Sequence, residues 1–195
     1  MSDERHVFHS FTLILAGADP LTPENLDRLF EAGCDDATFG AREGLFHAEF
    51  DREATSFAEA IRTAIRDVEG AVPGLTVIRV EPEEFVTAAD IARRLGRSRE
   101  SVRLLIRAER GPGYFPPPAW WVGGKRPIWR WSDVATWCAR SLSVPASAGS
   151  IDEAVFISAM NGALDVRRHG GALSSGADRA LLADVVDEDA RLLRA

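Results

Sequence analysis

Residues 86–140 read VTAADIARRLGRSRESVRLLIRAERGPGYFPPPAWWVGGKRPIWRWSDVATWCAR, and their reading decides the fold. Two short helical patterns meet at Gly96, a Trp-rich hairpin follows, and a further helical pattern closes the stretch. Thr87 and Asp90 make a short capping-box variant ahead of Ile91 and Leu95. Gly96 permits the tight turn that the next helix requires, and Ser98 caps that helix. Val102, Leu105 and Ile106 then fall at i, i+3 and i+4 and predict a buried stripe. The segment from Ala108 to Pro118, with Gly111, Gly113 and three consecutive prolines, stops the helix early. Trp120 to Trp131 reads as a hairpin turning at Gly123-Gly124, with Pro127 restricting pairing on one side. Ser132 is read as the cap of a helix carrying Val134, Trp137 and Cys138, and Trp129, Trp131 and Trp137 are expected to close a small core.

Charge sets this stretch apart. The whole chain carries a formal net charge of −7, but the charge is segregated. Residues 1–85 hold 7 basic and 18 acidic side chains, a net of −11. Residues 86–141 hold 11 basic and 4 acidic ones, a net of +7. Residues 142–195 hold 5 and 8, a net of −3. The local excess, not the total, is what a polyanion meets, so the centre of the chain is expected to bind nucleic acid. Acidic flanks on both sides are expected to limit non-specific binding.

The placement of the charges sharpens that expectation. Arg99, Arg103 and Arg107 lie four apart and form a ridge along one flank of the second helix. Glu100 and Arg107 project nearest to the face opposite the buried stripe. A helix built this way can sit in the major groove, where arginine grips guanine bidentately and glutamate accepts from cytosine. Lys125, Arg126 and Arg130 surround the hairpin, where they are expected to meet phosphate or the minor groove.

On these residues (VTAADIARRLGRSRESV, the FPPP break, GGKRPIWRW and SDVATW) the stretch resembles the MerR-like and phage excisionase-like winged helix-turn-helix domains. The resemblance covers residues 86–141 only. It implies double-stranded DNA as partner and a bacterial or phage transcriptional regulator as function. The early stop of the recognition helix suits the excisionase-like group better, and the coiled coil that pairs MerR proteins is missing from the sequence.

Ahead of this segment, residues 1–82 read strand, helix, strand, strand, helix, strand, which predicts a ferredoxin-like βαββαβ domain with two helices on one face of an antiparallel sheet. Val7 to Ala16 shifts its apolar phase midway, so it is read as a strand with a bulge or one buried on both faces. Thr22 with Pro23, and Ser56, mark the two helix starts. Glu43-Gly44 marks a hairpin turn. Residues 150–195 predict two helices separated by Gly170 and Gly171. The fold class is therefore α+β, with the winged helix-turn-helix at the centre and a helical pair at the C-terminus.

Other features carry little chemistry. Cys34 and Cys138 fit no metal or redox spacing and are read as small buried residues. His6, His9, His47 and His169 are scattered, and Glu49 and Asp51 share a strand face without a partner group, so no metal, cofactor or catalytic residue is expected. The charged N-terminus lacks a secretion signal and no apolar run is long enough to span a bilayer, so a cytoplasmic protein is expected. A homo-oligomer assembled through the N-terminal domain or the C-terminal helices is expected. The alternative is a protein-interaction module or antitoxin-like adaptor, in which the helix-turn-helix and the acidic N-terminal domain contact other proteins.

Overall fold

The computed structural model describes residues 6–82, 85–120, 127–142 and 148–192. Among them the chain is a mixed α+β protein with seven helices and a four-stranded antiparallel sheet. The first part runs β1 (Val7–Gly17), α1 (Pro23–Glu31), β2 (Ala37–Arg42), β3 (Leu45–Ala54), α2 (Phe57–Ala71) and β4 (Leu75–Glu81). Its strands lie in the order β2-β3-β1-β4.

Local chemistry accounts for the boundaries. The Thr22 hydroxyl accepts from the Asn25 N–H and Pro23 opens α1. Ser56 accepts from the Glu59 N–H at the start of α2. Glu43 and Gly44, with φ of 52° and 83°, make the tight turn that carries β2 into β3. Of the two readings of the phase shift in β1, burial on both faces is the one found in that strand, and the bulge lies in its neighbour β4. Ile14 pairs with Arg79 but Leu15 pairs with Val77, so β4 bulges at Ile78. Leu13, Ile14 and Leu15 are all buried, so this part of β1 is covered on both faces. Phe11, Leu13, Leu15, Phe50 and Val77 meet Leu29, Ile61 and Val68 in one cluster, and each such side chain contributes about 1.5–3 kcal/mol on burial.

One charged side chain lies inside this core. Arg52 is 6% exposed and stands on the same face of β3 as Ala48 and Phe50. Its guanidinium donates to Asp36 (2.7 and 3.0 Å), to Asp67 (2.8 Å), to Thr63 (3.3 Å) and to the Gly33 carbonyl (2.7 Å). Burial opposes its charge, but the hydrogen bonds and charges of Asp36 and Asp67 more than offset this and raise its pKa. Beside it, burial pushes the Cys34 thiol up to about 11, with the Arg52 charge acting against the rise, so the residue is inert.

The second part runs β5 (Phe85–Val86), α3 (Ala88–Arg94), α4 (Arg99–Ile106), β6 (Trp129–Arg130) and α5 (Trp131–Leu142). It has its own core of Val86, Ile91, Val102, Leu105, Trp129, Val134, Trp137 and Cys138. Trp129 and Trp137 are buried as expected, and Trp131 is half-buried against the same core. Ser132 is not the cap of α5, because the helix begins one residue earlier and buries Ser132 in its first turn.

The chain ends in α6 (Ala148–Gly170) and α7 (Gly176–Leu192). Helix α6 packs on the sheet part: Ile157 and Leu164 belong to its core. The Asn161 amide accepts from the Val80 N–H at 2.7 Å and donates to the Val80 carbonyl at 2.9 Å. Arg167 donates to the Val77 carbonyl at 2.7 Å, and Glu69 of α2 accepts from the Val77 N–H at 2.8 Å. These side chains close the outer edge of β4 as another strand would. By contrast α7 leaves Leu181 and Val185 mostly exposed. Among the described residues no helix is long and apolar enough to cross a membrane.

Candidate nucleic-acid interface

The pair α3–α4 is built by two caps and a glycine. Thr87 accepts from the Asp90 N–H, while the Asp90 carboxylate accepts from the Thr87 N–H at 3.0 Å and its hydroxyl at 2.7 Å. Those two bonds, with Arg93 adding a weaker contribution, hold the Asp90 carboxyl down at about 2. Gly96, at φ 60°, carries the chain through the turn, and Ser98 accepts from the Ser101 N–H to start α4. Val102 and Leu105 bury one face of α4 and so turn the opposite face to solvent.

The arginine ridge occupies that outer side. Arg99, Glu100 and Arg107 are exposed and Arg103 is half-buried. Arg103 and Glu100 are joined by a fork of two bonds, from Nε at 2.7 Å and from Nη2 at 2.5 Å. The shared hydrogen bonds lower the Glu100 pKa and raise that of Arg103. Arg107 stands at the C-cap of α4, where its Nη1 lies 3.7 Å from Glu109 Oε1. These contacts are solvent-exposed, and exposed ion pairs are worth only about 0–1 kcal/mol, so a phosphate can displace them.

Helix α4 ends where the sequence reading placed its stop. Ala108, at φ 56°, breaks the helix, and Gly111 turns back under it. Gly111 holds φ 86°, a conformation that residues with a side chain rarely adopt, and a Cβ there would also press on Leu105 Cδ2 at 2.7 Å. The loop that follows is fixed by indole N–H groups: Trp137 donates to the Gly113 carbonyl and Trp129 to the Pro116 carbonyl, both at 3.0 Å. Phe115 wedges between the two indoles. The same loop presents Tyr114 at 96% exposure, and Trp120 beyond it is 59% exposed. The sequence reading did not single out Tyr114. No local signal separates it from Phe115, the neighbouring aromatic that the core takes in.

The hairpin is present at its base. Trp120 and Ile128 exchange backbone hydrogen bonds at 3.3 Å, and β6 pairs with β5. Its expected tip, with Lys125 and Arg126, lies outside the described residues. Arg130 is placed differently from the expectation that it meets phosphate. Its Nη1 donates to Ser158 of α6 at 2.9 Å and its guanidinium lies 5.3 Å from the centre of the Phe85 ring. It therefore joins the two parts of the chain. Arg94 is likewise laid over Trp131, 4.6 Å from the ring centre.

Elsewhere, Glu49 and Asp51 line a concave stretch of the open sheet face with Ser10, Thr12 and Glu81, and the Ser10 hydroxyl donates to Asp51 at 2.5 Å. Among the described residues no group of three or more His, Cys, Asp or Glu side chains could hold a metal ion. Comparison of the chain with family models, with curated proteins and with solved structures finds no match.

Proposed function

We propose that the chain is a sequence-specific DNA-binding regulator, with a winged helix-turn-helix at residues 86–141 and a ferredoxin-like domain at residues 1–82. The observation that carries the reading is helix α4: capped, held by a small core of its own, and presenting Arg99, Glu100, Arg103 and Arg107 outward from a segment of net +7. The element order and the strand order β2-β3-β1-β4 support the ferredoxin-like assignment of the first part. The turn at Gly96 between two short helices and the hairpin base at Trp120 and Ile128 support the winged arrangement of the second.

In this reading α4 enters the major groove with Glu100 and Arg107 at the centre of its outer face and Arg99 and Arg103 along its flank, all four within reach of base edges or phosphate. Lys125 and Arg126 contact backbone phosphate. Arg130, engaged with Ser158 and Phe85, instead fixes the reading head on the rest of the chain. The sheet part and α6 supply the support and the site of assembly.

In-vitro selection of duplexes by the full-length chain tests this. It is expected to enrich a short motif, and Arg103→Ala is expected to weaken binding to that motif by about 1–3 kcal/mol while relaxing its sequence preference. Failure to enrich any motif, together with no retention of the chain on random duplex at low salt, would refute the reading in favour of a protein-interaction module.

A further inference from the structure

The sheet has two outer edges, and they are treated in opposite ways. On β4 the outward backbone groups of Val77 and Val80 are taken by Glu69, Asn161 and Arg167. On the other side, among the described residues β2 is hydrogen-bonded to β3 alone. An exposed strand edge is a template for another strand, and natural edges are blunted by proline, lysine, a bulge or a covering helix. The body of β2, Ala37-Thr38-Phe39-Gly40-Ala41, carries none of the first three.

The register says which groups are on offer. Asp51 donates to the Asp36 carbonyl at 3.1 Å, and the Glu43-Gly44 turn pairs Arg42 with Leu45. Alternation along an antiparallel pair then turns the N–H and C=O of Thr38 and Gly40 toward β3, and those of Phe39 and Ala41 outward. The Ala37 N–H is used by the Cys34 carbonyl at 3.2 Å, which leaves its C=O outward as well.

From this we infer that β2 is the surface on which a second copy of this chain pairs, antiparallel about a two-fold axis at Phe39, joining two sheets into one. The strand is complementary to itself in that register. Phe39 exchanges both of its backbone hydrogen bonds with its own counterpart, and each Ala41 N–H meets the Ala37 carbonyl of the other copy. On the face that packs on the helices Phe39 lies opposite its own counterpart, flanked by alanine opposite alanine, and on the other face Thr38 lies opposite Gly40. Charge selects the direction. β2 begins beside the exposed Asp35, next to Asp36 that Arg52 already holds, and ends at Arg42, so antiparallel pairing brings the acidic end of each copy to the basic end of the other, whereas parallel pairing would set like ends together. Glu43 has already left the strand in the turn. A strand from a different protein would share the backbone pattern but not this match of ends.

Sedimentation equilibrium of the full-length chain without DNA tests the inference separately from DNA binding. The parent chain is expected to be a dimer. Ala41→Pro removes an outward N–H, and Ala41→Lys adds an edge charge at an exposed position. Both are expected to be monomers at concentrations where the parent is dimeric, with unchanged circular dichroism. If the proline variant misfolds, the lysine variant carries the test alone. A monomeric parent chain would overturn the inference, whether or not it captures some other strand. So would dimers that survive Ala41→Lys, which would place the contact elsewhere, for example on the exposed apolar side of α7.

Discussion

The two cores of this molecule spend their polar groups differently. The sheet core takes polar side chains inside and satisfies them: Arg52 is bound by Asp36, Asp67, Thr63 and the Gly33 carbonyl, and Asn161 completes the edge of β4. The core of the second part uses its indole N–H groups to pin one loop and leaves Arg99, Arg103 and Arg107 outside. Buried polar contacts are costly to break and specify which element sits where. Exposed arginines in shallow ion pairs can exchange those partners for phosphate. The first core therefore fixes its architecture through buried polar contacts, and the proposed DNA contact falls to the exposed arginines of the second.

The largest effect is expected where the buried charge is removed. Arg52→Ala leaves Asp36 and Asp67 without their shared cation and should destabilise the sheet core by about 3–5 kcal/mol, measured by urea unfolding. Loss within surface-mutation range would mean that the network contributes little beyond its replaceable contacts. Next, Asn161→Ala uncovers the N–H and C=O of Val80 and should cost about 1–3 kcal/mol, since water can reach part of the opened edge. Amide exchange at Val80 should accelerate in that variant while exchange at Val102 in α4 stays slow. Uniform acceleration through both cores would erase the distinction drawn between them.

A smaller effect belongs to the second core. The Asp90 carboxyl is held from an ordinary 3.8 down to about 2, chiefly by the Thr87 hydroxyl and N–H. Because the folded value is the lower one, the cap is fully stabilising above the ordinary value and is lost as the pH falls through about 2. Acid titration of the thermal midpoint should therefore show a loss in that window which Asp90→Asn largely removes.

What was legible in the sequence follows the same division. Thr22, Ser56, Thr87 with Asp90, and Ser98 act on neighbours three residues away, so their caps were readable from spacing alone. The fork between Glu100 and Arg103 lies within the same reach, and opposite charges three apart on a helix carry that signal too. Arg52 sits at an inward position of β3, but Asp36 and Asp67 are 16 and 15 residues away, so only the folded sheet brings them together. Asn161 is 81 residues from Val80, and nothing local marks α6 as the cover of β4. For the same reason the contact of Arg130 with Ser158, 28 residues away, is not legible in the sequence.

The most direct test of the central claim is the salt dependence of binding to a selected duplex, for the parent chain and for a variant with Arg99, Arg103 and Arg107 all changed to alanine. Each phosphate neutralised should add about 0.9 to the negative slope of log affinity against log salt for duplex DNA. The parent chain should bind with a clear negative slope, and the triple variant should bind more weakly with a shallower one. Equal affinities and equal slopes for the two proteins would contradict the assignment of α4 as the reading helix.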